Sequence, residues 1–276
     1  MLILEKIFLD KNSILKIAHR GCHDDFPENT LEAFEAARLS GFKLIELDIQ
    51  LTQDLEWIVM HDQDLLRMTG QSKKIKSHSL KSLQENFIYL ENKNKNKKYK
   101  IPSLKEVLAW LDQYLYLSNS VENFIGLNLE IKVYPDESRG LDNQNIANLL
   151  LKDLDILKYK KNIMISSFNL DLLKFFSRKF YTGALFFIEP NQSIDFNFNF
   201  NFNFNFNSPL FLGLNKSFFE GKTQEDLYLF FYQKLGLDFN LNKTALVSYS
   251  FNLKNKQDLA DLNHCASLGV RGFFVD

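Results

Sequence analysis

A histidine and an arginine, His19 and Arg20, close the short apolar run LKIA at residues 15–18. A second histidine, His61, follows the apolar run WIVM and is itself followed by Asp62. Between them lies IELDIQ, with Glu46 and Asp48 two positions apart, and much later LNLEIKV sets Glu130 and Lys132 two apart. Alternate residues of a β-strand share a face, so each pair points its charges the same way. Buried acids need a cationic partner or a metal. Three carboxylates are oxygen ligands for a hard divalent cation. Two imidazoles can pass protons near neutral pH. A guanidinium and an ammonium oppose an anion. Taken singly, each acidic or ionic pair reads first as an interior ion pair. Taken together, the set suits hydrolysis of a phosphate ester.

These residues must be brought together by elements far apart in sequence. Short apolar runs alternate with helix-like segments throughout. The candidate strands are 15–18, 43–50, 57–60, 126–133, 163–166, 184–188, 210–214, 245–250 and 271–275. Helical patterns cover 30–41, 103–115, 143–154, 170–180, 223–236 and 256–269, the first with Thr30 as N-cap and Gly41 as its stop. Strand and helix in alternation imply a parallel sheet. No GxGxxG opens a helix after an early strand, which counts against a dinucleotide fold. The chain reads as a single α/β domain, an eight-stranded (β/α)8 TIM barrel. That leaves one strand candidate in excess, and LFLGL (210–214) is the first to discard. In such a barrel the C-terminal strand ends face the site. His19, Arg20, Glu46, Asp48, His61, Glu130 and Lys132 would converge there from four strands.

Composition removes other classes. The chain has 276 residues, 45% hydrophobic and 24% charged, with a formal net charge of -1. There is no global basic field for nucleic acid or an anionic membrane. Two cysteines, Cys22 and Cys265, make neither a disulfide framework nor a CxxC zinc site. No apolar stretch approaches the roughly 18 residues of a membrane span, so the cytoplasm is the expected compartment. Two segments break the alternation. Residues 64–100 read as an insertion after the third strand, with a solvated lysine–asparagine run, and 195–208 as a low-complexity Phe–Asn loop.

The order of motifs resembles the glycerophosphodiester phosphodiesterases, within the phospholipase-C-like TIM-barrel phosphodiesterases. The resemblance rests on His19-Arg20-Gly21, Pro27-Glu28-Asn29-Thr30, Glu46-x-Asp48, Thr52-x-Asp54, His61-Asp62 and Arg67-x-Thr69. IPSLKEVL (101–108), LEIK (129–132), SSF (166–168) and GVRGFFVD (269–276) extend it. Leu55 replaces the family's usual glycine, and Tyr249-Ser250-Phe251-Asn252 stands where the family has Trp-Thr-Val-Asn. The resemblance implies a metal-dependent hydrolase that releases sn-glycerol 3-phosphate and an alcohol such as choline, ethanolamine or glycerol. It implies one Mg²⁺ or Ca²⁺ on Glu46, Asp48 and Glu130, and phosphate held by Arg20 and Lys132 with Tyr249 as a pocket wall. It implies His19 and His61 as acid and base, which of them is which staying open. Asp62 would hold His61 or a neighbouring backbone group, and His23 would fall in a loop without a catalytic role. A lysophospholipase D with a greasier mouth and a catalytically silent phosphoester- or partner-binding barrel are the alternatives. The oligomeric state, and any part the Phe–Asn tract plays in it, stays open.

Overall fold

The computed structural model describes residues 4, 6–7, 14–88, 97–115, 124–134, 140–155, 157, 160–177, 179–186, 210–223, 244–268 and 270–276. In chain order the strands are β1 (Leu15–Ala18), β2 (Leu44–Leu51), β3 (Trp57–Val59), β4 (Phe87–Ile88), β5 (Tyr99–Lys100), β6 (Gly126–Ile131), β7 (Ile163–Ser167), β8 (Tyr181–Phe186), β9 (Leu210–Asn215), β10 (Thr244–Phe251) and β11 (Gly272–Val275). Their α-helices are α1 (Leu31–Leu39), α2 (Leu66–Thr69), α3 (Leu80–Gln84), α4 (Leu104–Leu115), α5 (Asn143–Asp155), α6 (Leu170–Leu173) and α7 (Lys256–Ser267). Strands β1, β2, β6, β7, β8, β9, β10 and β11 pair in parallel in that order, and β1 pairs with both β2 and β11. The ring is closed, a TIM barrel as the alternation predicts.

Two of the sequence expectations exchange places. LFLGL is a barrel strand, β9, paired with β8 and β10. WIVM is the surplus one: β3 lies outside the ring, antiparallel to β2. The reason is the connection. Only five residues separate β2 from β3, enough for a hairpin and far too few for a parallel crossover. The helix expected over 170–180 also stops at Leu173; Phe175 and Phe176 instead turn back on Leu172 and Leu173 through i→i−3 bonds.

Side-chain alternation divides the molecule. One face of each barrel strand packs outward against the helices, in a large cluster that includes Ile45, Leu47, Leu127, Leu129, Ile163 and Ile165 with Leu104, Leu111 and Leu150. The other face fills the barrel. Leu15, Ile17, Leu44, Met164, Tyr181, Leu185, Phe211, Ala245, Val247 and Phe274 form that interior, with Leu4 and Phe124 joining it. Phe211 fits because Gly183 opposite it lacks a side chain: a Cβ there would lie 2.1 Å from the ring.

The segment from residue 64 carries structure of its own. α2, α3 and the β4–β5 hairpin enclose a third apolar cluster of Ile58, Met60, Leu65, Ile75, Leu83, Ile88, Tyr99 and Ile101. Residues 89–96 of the lysine–asparagine run, the Phe–Asn tract 195–208 and the helical pattern beyond residue 223 lie outside the described residues. No helix among the described residues is long and apolar enough to cross a membrane.

The β2–β3 turn is tied by Thr52, whose hydroxyl donates to Asp54 and accepts from the Glu56 N–H. It places Leu55 at φ 60 with its side chain 39% exposed. A left-handed leucine costs about 1–2 kcal/mol, part of which glycine gives back through a freer unfolded chain. Leu55→Gly should therefore raise stability by about 0.5–1 kcal/mol in denaturant unfolding. Gly183→Ala should lower it by about 1–3 kcal/mol, because the barrel interior has no room to give.

Candidate active site

The interior alternation that starts on apolar residues ends on charged ones. Ile17 is followed two residues on by His19, Leu44 by Glu46 and then Asp48, Val247 by Tyr249, and Phe274 by Asp276. On β6 the same face carries Asn128 and then Glu130, with Lys132 just beyond the strand. Register brings them level: Glu46 lies beside Asn128, Asp48 beside Glu130, and Glu130 beside Ser166. The C-terminal mouth of the barrel is therefore lined by ionisable groups above an apolar floor.

Glu46, Asp48 and Glu130 are all buried, and each offers an oxygen within 4.8 Å of the others. Lys132 Nζ pairs with Glu130 and lies 3.0 Å from Asp48 Oδ1. Arg20 Nε lies 3.3 Å from Asp48 Oδ2. Asn29 fixes Asp48 from both sides: its Nδ2 donates to Oδ2 at 2.8 Å, and its Oδ1 accepts from the Asp48 N–H at 3.2 Å. Burial alone would raise Asp48, but Lys132 and Arg20 outweigh it and hold this carboxyl below the usual range. Glu46 goes the other way. Burial, and then the negative charges of Asp48 and Glu130, push it well up. Glu46 Oε1 is buried without a hydrogen bond. A crowded, partly unpaired set of hard oxygen donors is what a divalent cation satisfies, so the three carboxylates fit such an ion.

Local backbone shapes the first loop to this centre. Arg20 adopts φ 56 and Gly21 φ 85. That turn aims the Arg20 N–H at Glu46 Oε2, 3.0 Å away. A Cβ on Gly21 would meet backbone and side-chain atoms of Ala33 at 2.7–2.9 Å, so only glycine lets the loop pass over α1. Asn29, at φ 58, donates its N–H to the Arg20 carbonyl, and Thr30 caps α1 as expected. Non-glycine residues in this conformation are uncommon and cluster where a site is held in shape.

The two histidines arrive by different routes. His19 stands directly past β1. His61 follows β3, the strand outside the ring, so it does not come from a barrel strand as the sequence implied. β2 overshoots the barrel, the chain folds back, and the Met60 N–H reaches the Asp48 carbonyl at 3.1 Å. This returns His61 to the level of the carboxylates. Gln50 secures the return by donating to the Met60 and Asp62 carbonyls, and the Tyr134 hydroxyl donates to that of His61. His61 Nδ1 lies 2.7 Å from Asp62 Oδ1, and His19 Nδ1 lies 2.6 Å from Asp276 Oδ1. An ionised carboxylate only accepts, so each Nδ1 donates and each neutral ring keeps its lone pair on Nε2. His19 Nε2 lies 4.0 Å from Glu46 Oε2.

Sequence reasoning had left three of these residues without a role. Asp276 orients His19; its signal was an acid ending the last barrel strand. Arg67 donates to both Glu28 and Asp62, while Glu28 also accepts from Arg20, so one ionic chain joins the two histidine loops. His23 sits in the loop, as expected, but its Nε2 is 3.1 Å from Asp276 Oδ1. Tyr249 packs edge-on against Phe168, with ring centroids 6.3 Å apart, and Lys132 Nζ is 5.9 Å from the Phe168 centroid. Burial, then the Glu130 charge, raises the Tyr249 hydroxyl, which stays protonated. His78 and His264 bind backbone carbonyls of Lys74 and Phe219, away from the centre.

Comparison with known proteins agrees with this geometry. The chain is 32% identical over 155 residues to a glycerophosphodiester phosphodiesterase of Caldanaerobacter subterraneus subsp. tengcongensis, a match covering 56% of this chain and 58% of that protein. It is 33% identical over 175 residues to one from Bacillus subtilis, covering 60% and 56% respectively. Each match thus spans less than two thirds of the curated relative. The fold resembles that of an Oleispira antarctica phosphodiesterase solved with the product sn-glycerol-3-phosphate, with a TM-score of 0.66, 19% identity, and 97% and 94% of the two chains covered. The model of the glycerophosphoryl diester phosphodiesterase family matches residues 19–195, and the chain belongs to that family.

Proposed function

We propose that this chain hydrolyses glycerophosphodiesters to sn-glycerol 3-phosphate and an alcohol, using one divalent cation and two histidines. The observation that carries the reading is the meeting of three buried carboxylates with two imidazoles, each tied at Nδ1 to an aspartate. Glu46, Asp48 and Glu130 would hold Mg²⁺ or Ca²⁺. The bound ion would supply Lewis-acid polarisation of a phosphoryl oxygen. Arg20 and Lys132, already ordered by their acidic partners, oppose charge that grows on the phosphate. Their fixed positions mean little reorganisation at the moment of reaction.

His19 and His61 divide the proton transfers. One Nε2 takes a proton from the attacking oxygen, water or the substrate's own glycerol hydroxyl. The other gives a proton to the departing alkoxide, a poor leaving group without it. Asp276 and Asp62 fix the tautomer and steady the imidazolium that forms in each case. Tyr249 and Phe168 would form an aromatic wall beside Lys132 that meets the glycerol or the alcohol.

With glycerophosphocholine as substrate, His19→Ala and His61→Ala should each lower kcat by about 10²–10⁴. Full activity in either variant would sink the assignment. EDTA should abolish turnover and added Mg²⁺ or Ca²⁺ restore it. Glu130→Gln should weaken cation binding in calorimetry, whereas equal binding would remove Glu130 from the ligand set.

A further inference from the structure

We propose that His19, His23 and Asp276 form a second, inhibitory metal site that takes a borderline-soft cation such as Zn²⁺. Its inhibitory consequence rests on the catalytic role given to His19. The three residues present donor atoms within 4.8 Å of one another. Asp276 Oδ1 is the shared point, 2.6 Å from His19 Nδ1 and 3.1 Å from His23 Nε2. Their side chains are 22%, 26% and 30% exposed, so an ion reaches them from solution.

Ligand chemistry separates this site from the buried centre. Three carboxylates suit hard cations such as Mg²⁺ and Ca²⁺. Two imidazoles and one carboxylate suit zinc, with a fourth position left to water. The two rings stand at 71° with centroids 6.4 Å apart, edge to face and not stacked, and a nitrogen of each reaches the same Asp276 oxygen. Small adjustments would bring both nitrogens to zinc bonding distance, with the ion replacing the hydrogens they now share with Asp276.

The effect on His19 follows from its two nitrogens. A neutral imidazole bound to zinc through Nδ1 carries its one hydrogen on Nε2. The proton therefore moves from Nδ1 to Nε2, and none is lost from that ring. The nitrogen facing Glu46 then has no lone pair and cannot accept a proton. At His23 the proton on Nε2 moves to Nδ1, or leaves to solvent if the ring was cationic. A neutral N–H is also a far weaker acid than the imidazolium that the donor role needs, so zinc would stop His19 in either role without touching the three carboxylates.

Calorimetry with Zn²⁺ in saturating Mg²⁺ tests the site directly. The expected result is one zinc per chain, with His23→Gln weakening it by about tenfold or more. In the hydrolysis assay, Zn²⁺ should inhibit, and His23→Gln should need correspondingly more zinc, each protein scaled to its own zinc-free rate. Equal zinc affinity in the two proteins would overturn the proposal. Relief of inhibition by excess Mg²⁺ would also overturn it, by placing the zinc on the carboxylates. A chain that binds zinc as expected but hydrolyses nothing would leave this site standing and remove the hydrolase reading instead.

Discussion

Three carboxylates held close together in a buried place repel one another, and the whole mouth of the barrel is organised around that repulsion. Glu46, Asp48 and Glu130 are buried away from the solvent that would spread their charge. Lys132 and Arg20 offset part of it, which is why Asp48 stays ionised. The remainder falls on Glu46, which burial and its two neighbours drive toward the neutral form. Loss of one partner from such a set strands an uncompensated charge, and that is costly in a buried site. The arrangement persists because the closed ring beneath it is rigid. Eight strands pair without an edge, and the apolar interior leaves them no slack.

Much of this was legible because a strand alternates. Glu46 and Asp48, or Glu130 and Lys132, share a face by spacing alone, and that face is the one which lower in the barrel carries Leu44 and Met164. A reader of the sequence could place the charged layer without knowing the fold. The end of β11 obeys the same rule: Phe274 points inward, so Asp276 does too. Its role as the partner of His19 was within reach of that argument, although no local pattern announces it.

What alternation does not fix is which strand neighbours which. LFLGL and WIVM are both short and apolar, and only pairing tells a wall strand from one outside the ring. The contacts that link Arg67 to Glu28, 39 residues away, or His23 to Asp276, across nearly the whole chain, depend on closure of the ring. Long-range ionic contacts carry no periodic signal. Positive φ at Arg20 is likewise invisible in its residue type, whereas Asn29 is of a type that visits this region readily.

The β2–β3 fold-back separates the two proton carriers mechanically. His19 stands one residue past β1, a strand paired on both sides within the closed ring. His61 stands two residues past β3, which is held by β2, by a bridge from Ile58 to Ser103, by the Val59 N–H on the Pro102 carbonyl and by complete burial of Trp57, Ile58 and Val59. Ile58 and Met60 pack into the apolar cluster of the added segment, not into the barrel interior. The pair of imidazoles is therefore assembled from two separate cores, and a change in the packing of the added segment reaches the chemistry through His61.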